Sequence, residues 1–147
     1  MKRVVVTGLG IVSSIGVDAT EVTESLKNGK SGITFSEEYA FHGFRSQVHG
    51  MPKINLSDQI DKRQLRFMGD GAAFNYIAME QAIKDSGLTE MEVSNERTGL
   101  IVGSGGPSTK NLFAAHQIVL EKKSPKRMGP FMVTRGMSST NSACLAT

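Results

Sequence analysis

The amino-acid sequence predicts an α/β fold with a largely parallel sheet. Two apolar runs, 3–7 and 98–102, each have the β-branched composition of a buried strand and lead into a glycine-rich turn. Segments with helical periodicity lie between and after them. The order along the chain is therefore strand, helix, long helix, strand, helix, which is typical of a layered α/β domain.

The helices are predicted from the spacing of their apolar residues and from their stop signals. In 18–28, Val22 and Leu26 lie one turn apart, and Asn28-Gly29 follows as a stop. The longest helix is predicted over 61–86, ending at Gly87. Its apolar side chains form one stripe, which comprises Leu65, Met68, Ala72, Tyr76, Met79 and Ile83.

The remaining segments are assigned in the same way. A helix is predicted to start near Ser108, and a further helical segment to open at Gly129-Pro130. Residues 31–56 show no sustained period, so we expect an irregular excursion from the sheet. The last residues, 142–147, are small and apolar and carry no stop signal, which predicts a domain cut in mid-fold.

The net charge of 17 − 14 = +3 is too small to indicate nucleic-acid binding by itself. Positive charge is nevertheless concentrated in two clusters. One holds Lys62, Arg63 and Arg66; the other holds Lys122, Lys123, Lys126 and Arg127. The clusters are either solvated faces or a docking surface for an acidic partner.

Cys144 is the only cysteine in 147 residues, which excludes an internal disulfide and fits a reducing, cytoplasmic compartment. No apolar run approaches the ~20 residues that span a bilayer, so no membrane association is expected. Cys144 lies in a run of small apolar residues within a predicted helix. This setting favours a buried, inert thiol over a nucleophile.

Several motif-like patterns do not carry the chemistry they suggest. Gly8-x-Gly10 follows a strand, but Ser13 stands where a dinucleotide-binding motif needs its third glycine, and no acidic residue follows near 28–33. Gly29-Lys30-Ser31 lacks the rest of a phosphate loop. The turn at 103–106 could bind an anion or simply connect strand to helix. The three histidines are not at metal-ligand spacing, so the sequence predicts no metal and no cofactor.

Five stretches in order resemble the condensing enzymes of fatty acid synthesis, the β-ketoacyl-acyl carrier protein synthases, type I branch. They are Val6-Thr7-Gly8-Leu9-Gly10-Ile11-Val12-Ser13-Ser14-Ile15-Gly16, Lys30-Ser31-Gly32-Ile33, Arg66-Phe67-Met68-Gly69-Asp70, Gly99-Leu100-Ile101-Val102-Gly103-Ser104-Gly105-Gly106, and residues 130–147. No single stretch is decisive, but the ordered combination covers essentially the whole chain.

The resemblance implies a thiolase-like fold, in which two related αβ halves stack in αβαβα layers and the enzyme works as a homodimer. Residues 1–147 would be an incomplete first half, truncated before the nucleophile. The family's nucleophilic cysteine lies in a later Ser-Ala-Cys-Ala-Thr-type stretch, so Cys144, in the earlier Ser-Ala-Cys-Leu-Ala-Thr stretch, does not inherit its role. The catalytic histidines and lysine belong to the second half. The resemblance therefore implies an acyltransferase family, with no catalytic residue in this chain.

The resemblance also implies a partner, acyl carrier protein with phosphopantetheine-linked acyl and malonyl groups. The residues that match its basic docking surface are Arg45, Arg63, Arg66, Lys123 and Lys126. Met137 matches a residue of the acyl pocket near the dimer interface, although ordinary core packing is the alternative. Two other functions remain open at this point: a non-catalytic carrier-protein-binding module or pseudo-enzyme fragment, and, more distantly, a nucleotide-binding domain.

Overall fold

The computed structural model describes residues 3–147, and most of their regular structure is helical. In chain order the elements are α1 Ala19–Lys27, β1 Ile33–Phe35, α2 Glu37–Phe41, β2 Val48–Gly50, α3 Leu56–Gln59, α4 Lys62–Leu65, α5 Asp70–Ser86, α6 Glu90–Val93, α7 Thr109–Lys122, a 3-10 helix Pro125–Met128, α8 Met132–Gly136 and α9 Thr140–Ala146.

The core forms around the first half of α5. Ala72, Ala73 and Ile77 lie on its buried face, where they pack with Ile60 and Met68. Helix α9 packs along the same helix, and Cys144 contributes to this contact from α9. Removing these apolar side chains from water is what holds the short helices against α5.

The helices predicted over 18–28 and from Ser108 are confirmed as α1 and α7. The helix end predicted at Gly87 is confirmed as well. Asp18 caps α1 by accepting a hydrogen bond from the backbone N–H of Glu21, which satisfies one of the free donors of the first turn. Ser108 stands at the N-cap of α7. Gly87 adopts the left-handed conformation (φ 68°) directly after α5, as its position predicted.

Two predicted helices are each divided in the structure. The expected helix over 61–86 breaks at Gly69, whose extended backbone (ψ 168°) separates α4 from α5. A Cβ at Gly69 would lie 2.8 Å from the carbonyl oxygen of Arg135, so close packing against α8 occupies this point. The segment opening at Pro130 breaks in the same way at Met137, which is extended (ψ 137°) between α8 and α9.

The two predicted strands are not strands in this structure. No strand pairs with residues 3–7 or 98–102 within residues 3–147. The prediction that these two segments form strands of a parallel sheet is therefore wrong for the described residues. Their apolar side chains remain uncovered: Val4 is 95% and Ile101 is 97% exposed. A strand is stable only when a neighbour accepts its backbone hydrogen bonds.

Regular structure lies instead in the segment predicted to be irregular. Strands β1 and β2 form an antiparallel pair in which Thr34 is opposite His49. Helix α2 lies in the same 31–56 stretch, and α3 begins at its last residue. The short strands fall below the length at which alternation can be recognised, which explains why the prediction was wrong here.

Candidate functional site

The first basic cluster lies on and just after α4. The side chain of Asp61 caps this short helix by accepting a hydrogen bond from the Arg63 backbone N–H at 2.7 Å. Capping orients the exposed turn that carries Arg63. Arg63 itself is exposed, so its guanidinium is accessible to a partner.

Arg66 has a different environment, although it is only one turn away. Its guanidinium carbon lies 5.0 Å from the centre of the Phe67 ring and 4.9 Å from the centre of the Phe131 ring. The two rings contact each other edge to face, with centres 4.9 Å apart. Arg135 Nε also donates a hydrogen bond to the Arg66 carbonyl oxygen at 2.7 Å. Arg66 is thus tied to the segment that begins α8.

The second basic cluster follows α7. Lys123 is the C-cap of α7 and has a left-handed backbone, φ 50°. Lys126 lies in the 3-10 helix, which packs against α7. That helix ends at Met128, and Phe131, which contacts Arg66, follows shortly after. Arg66 of the first cluster thus contacts the segment that follows the second cluster.

Arg45 is separate from these residues. It lies exposed in the loop between α2 and β2, and no hydrogen bond or ion pair joins it to the other four within residues 3–147. Beside it is a chain of ring contacts in which Tyr39 packs on Phe44 (5.1 Å between centres) and on His49 (5.5 Å). Arg45 thus lies in a different segment of the chain from the two basic clusters.

The grouped cations are not neutralised internally. Across residues 3–147 the structure contains a single ion pair, Lys110 Nζ to Asp70 Oδ2 at 3.0 Å. It involves none of the five basic residues. Exposed cations that form no ion pair produce a local positive potential that attracts an acidic partner.

Met137 is the C-cap of α8 and is 48% exposed. It lines a cavity of about 270 Å³, together with the first turn of α5 and Asn141.

A second cavity, about 360 Å³, was not foreseen from the sequence. Arg63 and Gln64 lie on one side of it, and Phe67, Met68 and Cys144 line it as well. Its residues come from α4, the segment between α4 and α5, α8 and α9, so no local pattern could reveal it. Partial burial raises the pKa of the Cys144 thiol, because desolvation disfavours the thiolate. This agrees with the prediction of an unreactive thiol, although the residue is only half-buried.

Packing accounts for the glycines that resembled a nucleotide motif. A Cβ at Gly8 would collide with the carbonyl oxygen of Ala82, and one at Gly10 with that of Ala78. The backbone N–H of Leu9 donates to Asp85 at 3.0 Å, and that of Ile11 to Gln81 at 3.0 Å. These glycines let the amino-terminal segment lie directly on α5.

Two further searches apply to the described part of the chain. Residues 3–147 hold no group of three or more His, Cys, Asp or Glu side chains that could coordinate a metal ion. None of the helices there combines the length and apolar character needed to cross a bilayer.

Comparison with known proteins shows the family. The family model "Beta-ketoacyl synthase, N-terminal domain" matches residues 1–147. The 3-oxoacyl-[acyl-carrier-protein] synthase 1 of Haemophilus influenzae is 50% identical over 147 residues, and that of Escherichia coli K12 is 47% identical over 148. The chain is covered completely in both cases but spans 36% of either relative.

The fold comparison agrees. The solved structure of the ishigamide ketosynthase/chain length factor matches with a TM-score of 0.85 at 27% sequence identity, over 99% of this chain and 36% of that one. The α/β, thiolase-like fold class expected from the sequence is therefore confirmed at the level of the fold family. This 147-residue chain belongs to the β-ketoacyl synthase family and corresponds to its N-terminal domain.

Proposed function

We propose that the chain is the N-terminal part of a β-ketoacyl-acyl carrier protein synthase, and that it supplies a docking surface for acyl carrier protein. The observation that carries this proposal is the match of the N-terminal domain model to residues 1–147. The exposed cations Arg63, Lys123 and Lys126 support the docking role. The names of the two relatives specify an acyl-carrier-protein substrate.

In this proposal the chain binds and orients, and it does not carry the nucleophile. The condensation joins an enzyme-bound acyl group to the carbanion formed when malonyl-acyl carrier protein loses carbon dioxide. That reaction needs a thiolate and groups that stabilise oxyanion charge. Cys144 is a poor nucleophile because its thiol pKa is raised. The chain by itself is therefore proposed to be inactive in condensation.

The remaining parts of the proposal concern assembly and location. Met137, exposed beside the first turn of α5, is proposed to lie at the acyl pocket near a homodimer interface. Arg45 is proposed to contact the carrier protein at a separate point from the other cations. The cytoplasm is the proposed compartment, since acyl carrier protein and the reducing state of a lone cysteine both belong there.

Binding to holo-acyl carrier protein tests the docking role. We expect binding that weakens steeply as salt is added, because exposed charges are screened over about 10 Å at 0.1 M. Replacing Arg63, Lys123 and Lys126 with glutamine removes three exposed ion pairs of about 0.5 kcal/mol each, so affinity falls roughly tenfold. Lys84→Gln, a neutralisation at the end of α5, is the matched control. Equal affinity of the triple variant and the control would refute the docking role.

A non-catalytic carrier-protein-binding module is the second candidate, and the exposure of Arg63, Lys123 and Lys126 favours it for the isolated chain. An elongation assay with acyl and malonyl carrier proteins separates the roles. The 147-residue chain is expected to give no turnover above background. Turnover abolished by Cys144→Ser would show that this cysteine is a nucleophile after all.

A further inference from the structure

We propose that the cavity of about 360 Å³ beside Arg63 binds the anion of a medium-chain fatty acid, and that Arg63 pairs with its carboxylate. A bound fatty acid then occupies a cation that the carrier protein is also proposed to use. Binding of the fatty acid goes beyond the proposed function, and only its competition with the carrier protein rests on that function.

The interior of the cavity is suited to an apolar chain. Phe67, Met68 and Ala143 line it. Thr140 lines it too, but its hydroxyl already donates to the carbonyl oxygen of Thr134. Within residues 3–147 no buried side-chain nitrogen or oxygen lacks a hydrogen-bond partner. The cavity therefore presents no buried side-chain polar atom that a polar ligand must satisfy, and cavities of this kind take apolar groups.

Two walls of the cavity are fixed by packing outside it. On one side, the Phe67 ring contacts the Phe131 ring edge to face, with centres 4.9 Å apart, and Met68 belongs to the core. On the other side, Cys144 packs against the same core from α9. A cavity that exists before the ligand arrives loses little free energy to ordering of its side chains on binding, and its volume lies in the range of small-molecule sites.

Arg63 supplies the charge that selects the ligand. It is exposed and lies at the cavity, and it forms no ion pair within residues 3–147. Of the described residues that line the cavity, Arg63 alone has a charged side chain. An apolar interior beside one free guanidinium matches an unbranched chain that ends in a single carboxylate, because guanidinium and carboxylate form paired hydrogen bonds.

The first experiment uses Cys144 as the reporter, since it lines the cavity and is the only cysteine. Decanoate, kept below its micelle-forming concentration, should slow alkylation of Cys144 by iodoacetamide in proportion to the bound fraction, whereas acetate should not. From hexanoate to decanoate, each added CH₂ should strengthen binding by about fourfold. Ala143→Leu places a larger side chain at the cavity and should abolish the protection. No protection by decanoate, or full protection of the Ala143→Leu variant, would overturn the proposal.

The second experiment isolates the role of the carboxylate, with decanol as the matched uncharged ligand. Arg63→Gln should weaken decanoate binding roughly two- to fivefold and leave decanol binding unchanged. Lys84→Gln, at the end of α5, should change neither. If Arg63→Gln weakens both ligands equally, the charge plays no part and the proposal is refuted.

The third experiment measures binding of holo-acyl carrier protein. Saturating decanoate should weaken it by about the same factor as Arg63→Gln does alone, and should not weaken it further in the Arg63→Gln variant. Unchanged carrier-protein affinity in decanoate would contradict the shared use of Arg63. If the chain does not bind carrier protein at all, the proposed function fails, while the labelling of Cys144 still tests the cavity.

Discussion

At Gly10 the backbone lies directly against the carbonyl oxygen of Ala78 in α5. A methyl group there must displace the helix backbone, so Gly10→Ala is expected to lower the free energy of unfolding by about 2 kcal/mol or more. Gly103→Ala is the matched control, because no heavy atom lies within 4 Å of its Cβ position. Its effect should stay within about 0.5 kcal/mol. Urea unfolding measures both, and equal effects would contradict the close contact.

Cys144 allows a residue-scale test by pH. Desolvation raises its thiol pKa, so the folded chain holds less thiolate than the unfolded chain at any pH near 8. Alkylation by iodoacetamide should therefore be slower in the folded chain, and its rate should rise with pH along a curve displaced to higher pH. Since Cys144 is the only cysteine, total labelling reports it alone. The chain in urea is the control, and coinciding pH profiles would contradict the raised pKa.

Structural features that depend on residues close together in the sequence could be predicted from it. Asp18 as an N-cap and Gly87 as a left-handed helix end both follow from local backbone chemistry. The contact between Arg66 and Phe131 was not readable, because it joins residues far apart in the sequence. Arg66 and Arg63 belong to one basic cluster in the sequence, and their different environments arise only from the folded chain.

At the scale of elements, the end of α7 offers a stability test. Lys123 has φ 50°, the one positive value among non-glycine residues 3–147. Side chains with a Cβ are disfavoured there, so Lys123→Gly should stabilise the chain by about 0.5–1 kcal/mol.

The control is the preceding residue. Lys122 lies inside α7, where glycine costs about 1 kcal/mol relative to alanine, so Lys122→Gly should destabilise. Both variants lose one positive charge, and opposite signs in urea unfolding would therefore report backbone conformation and not charge. The same sign for both would contradict the left-handed assignment.

Element boundaries depended on tertiary packing and were harder to predict. The apolar stripe from Leu65 to Ile83 keeps its helical phase across Gly69, so periodicity alone indicated a single helix. The break occurs where Gly69 meets the Arg135 carbonyl oxygen, a contact invisible to a local pattern. Likewise, the composition of 3–7 and 98–102 indicated strands, but a strand also needs a neighbour, and composition does not supply one.

At the scale of the whole molecule, the uncovered apolar runs predict self-association. Val4 and Ile101 are almost fully exposed, in irregular segments that lack ladder partners within residues 3–147. Such segments pair readily with other chains. Light scattering should show a mean mass that rises with protein concentration, and Val4→Lys with Ile101→Lys should reduce it.

A matched variant tests whether the irregular segments that contain Val4 and Ile101 cause the association. Met91 is 85% exposed but lies in the short helix α6. Met91→Lys adds a charge outside both of these segments, so it should leave association nearly unchanged. A monomer at every concentration, or equal effects of all three substitutions, would contradict the expectation.

The contact between the amino-terminal segment and α5 also bears on the time course of folding. The hydrogen bonds from Leu9 and Ile11 reach partners 76 and 70 residues further along the chain. The entropy cost of closing a loop of that size arises before the contact stabilises the fold, so the contact forms slowly. On the ribosome, at about 5–20 residues per second, the segment is synthesised several seconds before its partner helix. Throughout that interval the backbone N–H groups of Leu9 and Ile11 lack their native acceptors.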